Sequence, residues 1–168
     1  EEGELYAGEP IRVAIAVRPG AGHAGPVRLS GSPGKSWTER IRVRLHDANG
    51  RSLGEPARAA IAPLVTSMEA HRDRPAVAIF RWPASVTLGL QPGVHRISAR
   101  WVTDDRTSAT TPGETAFNLK PEPETLTPAL RTRLQFAVAV DAHLAGERKR
   151  AGTLVDLVLK TDPSHVEA

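Results

Sequence analysis

Cysteine is missing from this chain altogether, which removes disulfides and thiolate metal sites from the means of holding a fold together. Aromatic residues make up only 4% of it, so a core has to be assembled mainly from Val, Ile, Leu and Ala. No apolar run approaches the ~20 residues that cross a bilayer as a helix. The chain opens Glu1-Glu2-Gly3-Glu4, without an initiator methionine or apolar leader, as a processed product does. A large charge of one sign is also lacking, since 22 Lys plus Arg stand against 19 Asp plus Glu, a formal +3. The sequence pI of about 9.8 reflects a small arginine excess and is no argument by itself for a nucleic-acid partner.

What is present suffices for one ordinary domain with a small appendage. With 168 residues, 40% hydrophobic and 24% charged, the composition is that of a globular protein and lies away from the disordered regime. The stretch from Leu90 to Thr103 is a Pro-Gly turn leading into a strand, with Ile97, Ala99 and Trp101 on one face and Arg96, Ser98 and Arg100 on the other. That period of two belongs to a half-buried strand, which needs sheet neighbours and a second layer over its apolar face.

The same alternation recurs. Ile11, Val13, Ile15 and Val17 predict one strand, and Ile41, Val43 and Leu45, opposed by Arg40, Arg42, Arg44 and His46, predict another. Asp47-Ala48-Asn49-Gly50 supplies a hairpin turn, with a weaker returning strand from Arg51 to about Ile61. Ala76 to Trp82 reads as a central strand, because Val77 and Ile79 make its second face apolar as well. Val86, Leu88 and Leu90 predict a further short alternating element, and Thr115 to Leu119 a closing strand. Pro19 to Lys35, rich in Gly, Pro and Ser, reads as a long loop with at most an edge strand at Val27-Arg28-Leu29. Glu1 to Pro10 reads as a polar lead-in, Pro63 to Pro75 as a connection with a helical turn, and Thr103 to Gly113 as a polar loop.

At Lys120 the pattern changes. Lys-Pro-Glu-Pro-Glu is a stiff linker. Thr127 caps a helix with Pro128 at its first position, Leu130, Leu134, Val138 and Ala142 recur every four residues, and Gly146 ends the helix. A second helix runs from about Arg148 to Lys160 and stops at Asp162-Pro163.

The segment from about Thr132 to His165 resembles a single tetratricopeptide repeat. The repeat's turn glycine falls on Gly146, its small packing residues on Ala139 and Ala151, its large apolar residue on Val155 and its closing proline on Pro163, while its usual aromatics are replaced by Gln135, Ala142 and Arg148. One such repeat cannot bury its own faces, so the resemblance implies packing on the β region or on further repeats. In the β region, AGEPIRVAIAV, IRVRLHDANGRSL and LQPGVHRISARWV resemble the opening, middle and closing strands of bacterial immunoglobulin-like extracytoplasmic modules. That resemblance implies adhesion, scaffolding or ligand presentation.

No stretch carries recognisable catalytic chemistry. The histidines at 23, 46, 71, 95, 143 and 165 have no metal-ligand spacing, and each reads as a lone surface residue. Asp104-Asp105 reads as part of a solvated loop, since a Ca²⁺ site wants more oxygens than it offers. Gly34-Lys35-Ser36 ends like a phosphate-binding loop, but Trp37 and a strand follow it where a helix belongs.

The expected fold is mainly β with a C-terminal α-hairpin: an immunoglobulin-like antiparallel β-sandwich of about seven strands over residues 1–119, a Pro/Glu linker over 120–127 and a tetratricopeptide-like helical hairpin over 128–168. The expected role is non-enzymatic, without a cofactor or metal, as a protein–protein interaction or scaffolding module of a bacterial exported protein, periplasmic, cell-envelope or secreted. The surface expected to meet a protein partner is Phe136, Val140 and Leu144 on the first helix. The alternative is a carbohydrate- or polyanion-binding sandwich. Its polyanion face would be Arg40, Arg42, Arg44, Arg96 and Arg100 if their strands are neighbours, and its glycan site the Pro19 to Lys35 loop with His23 and Trp37.

Overall fold

The computed structural model, which describes residues 3–58, 65–102 and 113–163, is mainly β with a C-terminal pair of helices. The first strand, β1 (Gly3–Tyr6), enters a turn in which the Glu9 N–H donates to the Tyr6 carbonyl at 2.9 Å. Gly8 sits there at a φ of 90°, open to glycine at little cost. Then come β2 (Ile11–Val17), β3 (Val27–Ser30), a 3₁₀ turn (Trp37–Arg40), β4 (Ile41–His46), the two-residue β5 (Ala57–Arg58), β6 (Ser67–Ala70) and β7 (Ala76–Trp82). A short helix α1 (Ala84–Leu88), β8 (Gly93–Trp101) and β9 (Gly113–Lys120) follow, and α2 (Pro128–Leu144) and α3 (Arg148–Thr161) complete the order.

One sheet has the order β1-β9-β8-β4 and a second β2-β7-β5, while β3 and β6 pair as a separate ribbon. Only β1 on β9 is parallel among these pairs. Alternation places Ile41, Val43 and Leu45 of β4, Ile97 and Ala99 of β8, and Phe117 and Leu119 of β9 on an inner face. They pack with Ile11 of β2 and Ala78, Phe80 and Trp82 of β7. The result is the expected immunoglobulin-like sandwich, and its buried core cluster lies wholly between Ile11 and Leu119.

The helices form where the composition changes. The Thr127 hydroxyl accepts from the Leu130 N–H at 3.2 Å, and Pro128 occupies the first turn. Gly146, at a φ of 80°, makes the bend into α3. Ala137, Ala139, Ala142 and Leu144 of α2 and Ala151 and Val158 of α3 are buried. Two ion pairs tie α2 to the sandwich. Arg81 on β7 meets Asp141 at 2.8 Å, and Arg133 donates to Glu9 at 3.0 Å.

Several expectations are corrected. The polar lead-in contains β1, a strand whose pairing is set by β9 rather than by its own apolar pattern. The described part of Pro63 to Pro75 holds β6 instead of a helical turn; its Ala70 stands opposite Val27 and is fully buried in the same core cluster as Leu29. The returning strand stays on β4 only through the His46–Ser52 bridge and the Leu53 N–H bond to the Leu45 carbonyl at 2.8 Å, then crosses to pair β7 as β5. Val86 and Leu88 belong to a helix, α1, whose Thr87 is fully buried; its hydroxyl lies 2.8 Å from the Glu9 carbonyl and accepts from the Gly8 N–H at 3.1 Å. β7 is central, but Val77 and Ile79 lie on an outer face and stay exposed. His95 is no surface residue: it is fully buried, stacked on Phe117 at 5.4 Å, with Nε2 2.9 Å from the Gln91 carbonyl. Asp104, Asp105 and His165 lie outside the described residues, as do residues 59–64 of the connection and returning strand.

Candidate functional site

Because β4 and β8 pair antiparallel, Arg42 stands directly opposite Arg100, Arg44 opposite Ser98 and His46 opposite Arg96. Four of the five arginines singled out from sequence thus share one outer sheet face; Arg40 belongs to the 3₁₀ turn just before it. Like charges directly opposite repel, and acids relieve only part of this stripe. Arg42 lies 4.0 Å from Glu55 and Arg96 3.8 Å from Glu114, both pairs well exposed. At the far edge of the same sheet, the Lys120 Nζ donates to Glu4 Oε2 at 2.8 Å. That hydrogen bond, opposed by desolvation and assisted by the Glu4 charge, raises the Lys120 pKa above its ordinary value.

The helical surface is only partly as expected. Phe136 and Val140 are half-buried, but Leu144 is 7% exposed and belongs to the packed side of the helix pair, so it offers nothing to a partner. Val140 instead lines a groove of about 410 Å³ between α2 and α3. The buried Ala139 and Ala151 form its bed, the exposed Gly152 and Val155 flank it, and His143 and Arg148 are its polar lining. Next to it, Leu157 and Leu159 of α3 are exposed.

The glycan site expected around Trp37 is not available as drawn. Trp37 is 3% exposed and stacked against Trp101, inside the core. His23 lies in a shallow depression with His71 and Asp73, and Arg72 pins that loop by donating to the Ala21 carbonyl at 2.7 Å. Among the described residues no three His, Asp or Glu side chains gather at one point.

A cleft of about 410 Å³ opens where the edge of β2 that is unpaired among the described residues passes the start of β9, floored by Ile97, Ala99 and Trp101. Sequence alone gave no signal for it, because alternation marks a strand without saying which strand lies at an edge.

No family model matches this chain, and no curated protein matches it. Among solved structures it is similar to CopC from Methylosinus trichosporium OB3b, at 15% identity and a TM-score of 0.38, over 74% of this chain and 89% of that one. It is similar also to the periplasmic chaperone SfaE, at 10% identity and a TM-score of 0.37, over 76% of this chain and 58% of SfaE. Both likenesses are remote.

Proposed function

We propose that this chain is a non-enzymatic protein-binding module of an exported bacterial protein, in which the sandwich is the scaffold and the α2–α3 pair holds an amphipathic helix of a protein partner. The observation that carries this reading is the apolar groove between the two helices. Its small bed residues let a helix backbone approach closely, and Val140 and Val155 give it apolar walls. Helix-in-groove recognition uses this combination of bed and walls. The tetratricopeptide resemblance supports the same reading, since a lone repeat leaves its stacking face uncovered. The placement outside the cytoplasm rests on the resemblance of the β strands to extracytoplasmic modules, and cell fractionation of the native protein tests it. For the groove, a photo-crosslinker at Gly152 in the native host should capture one protein, and Val140→Glu should abolish the capture. Capture unaffected by Val140→Glu, or capture only from a crosslinker at Arg44, would overturn it.

A second reading is favoured by one observation, the pairing that sets Arg42 against Arg100. It supports reading the outer face of β4 and β8 as a polyanion surface. Retention on heparin resin, lost steeply as salt rises, and lost in Arg42→Glu/Arg100→Glu, is the expected result. Flow-through at low salt removes it.

A further inference from the structure

The geometry points to a second binding site, independent of the helical groove: the cleft at the edge of β2 takes an extended peptide segment as an added strand, with alternating apolar side chains and an acidic residue where it meets Arg18 and Arg100. Among the described residues β2 is the outermost strand of its sheet, paired along Ile11–Val17 to β7 on one side only. Residues Val13 to Arg18 line the cleft consecutively. Successive side chains of a strand point to opposite faces, so a cleft that touches them all runs along the backbone edge. Such an edge offers a row of N–H and C=O groups for one more strand.

The opposite wall repeats the condition. It is formed by Gly113 to Thr115 of β9, whereas the described pairing of β1 with β9 begins only at Phe117. The floor between the walls is the sandwich core, with Ile41, Ile97, Ala99 and Trp101 facing the opening. Every second side chain of an inserted strand would drop onto that floor and the others would face out, which fixes the alternating pattern of the occupant. At ~3.3 Å per residue, the six consecutive lining residues from Val13 to Arg18, five of them in β2, match a segment of about six residues.

Charge narrows the occupant further. Arg18 and Arg100 stand at the cleft, and neither has an acidic partner among the described residues. Glu114, the one acid in the lining, is already 3.8 Å from Arg96. Among the described residues the opening is therefore net positive and suits a carboxylate. It also disfavours a second copy of this chain, whose own β2 edge would bring a further arginine.

The test uses the full chain, isotopically labelled, titrated with an acetylated peptide of about eight residues in which Val alternates with Thr and which ends in two Glu. The expected result is saturable shifts at β2 and at the end of β8, with slowed amide exchange at alternate β2 residues. A matching peptide ending in two Lys should bind about tenfold more weakly. Arg18→Glu/Arg100→Glu should invert that preference, an inversion that a merely unfolded variant could not give. The proposal is overturned if neither peptide saturates, if the Glu and Lys peptides bind alike, if the shifts map to the α2–α3 groove, or if sedimentation shows β2 covered by a second copy.

Discussion

The indole rings of Trp37 and Trp101 stack with their centroids 6.3 Å apart and their planes 23° from parallel. Trp37 lies in the 3₁₀ turn before β4, and Trp101 ends β8 opposite Ile41. The pair thus fastens the start of one strand to the end of its neighbour, at the end of the sandwich where the edge cleft opens. Trp37 is nearly shut off from solvent, whereas Trp101 is half-buried and lines the cleft. One ring anchors the fold and the other is shared between fold and surface.

Trp37→Ala should therefore cost about 3–5 kcal/mol, as deletion of a buried aromatic does. Trp101→Ala should cost less, about 1–3 kcal/mol, because part of its surface already meets water. Urea midpoints of the two variants check the order. The double variant should reveal a coupling of about 0.5–1.5 kcal/mol from the stacked pair. A larger loss at Trp101 than at Trp37 would mean that Trp101 is the main anchor.

Gly31→Ala should destabilise through the same corner. A β-carbon at Gly31 would collide with the carbonyl oxygens of Lys35 and Ser36, which are backbone atoms and cannot swing away. The loop must shift, disturbing the Gly31 N–H bond to Thr66 at 3.0 Å and the Ser36 cap that seats Trp37. A loss of about 1–3 kcal/mol is expected, as for other overpacked sites, with tryptophan emission moving to the red. Gly20→Ala, which meets nothing within 4 Å, should be close to neutral in the same melts.

The strands that could be read from sequence are those whose own side chains carry both signals, apolar inward and arginine outward, such as Ile41–His46 and Gly93–Trp101. β1 and β6 were hidden because Gly-Glu-Leu-Tyr and Ser-Met-Glu-Ala owe their conformation to a partner strand rather than to alternation. Over α1, Val86 and Leu90 fit a spacing of four as well as two, and the buried Thr87 that decides between them looks polar in sequence. The arginine stripe was legible as far as each strand went, and only the β4–β8 register joined its halves. Leu144 was misplaced because one residue's shift around a helix exchanges its packed and open sides.

A chain ending at Lys120 should still fold. Every member of the sandwich's buried core cluster lies between Ile11 and Leu119, so removing the helices takes away ion pairs, a cover for Glu9 and the helices' own buried residues but no side chain of that cluster. Near-ultraviolet circular dichroism and dispersed amide resonances are the expected signature, with a lower melting temperature than the full chain. Loss of both would show that the helices are part of the folding unit and that the boundary after the sandwich is wrongly drawn.

The contact between Arg81 and Asp141 should behave as a paired unit rather than as a bonus of stability. Arg81 Nη1 donates to both Asp141 oxygens at 2.8 Å, and the two side chains are only 16% and 14% exposed. Removing one partner strands a charge in a site with little water, which for buried pairs costs about 3–5 kcal/mol. Asp141→Leu and Arg81→Met should each approach the lower end of that range, since some solvent remains. Arg81→Met/Asp141→Leu together should cost less than either alone, because no charge is orphaned and apolar surface replaces the pair. Hydrogen exchange locates the effect: the single variants should speed exchange in α2 while β8 and β9 keep their protection, because Glu9 and Arg133 still hold the turn before β2 to the helix. If the double variant were as damaged as the sum of the singles, the pair would be holding α2 on the sandwich by attraction that packing cannot replace.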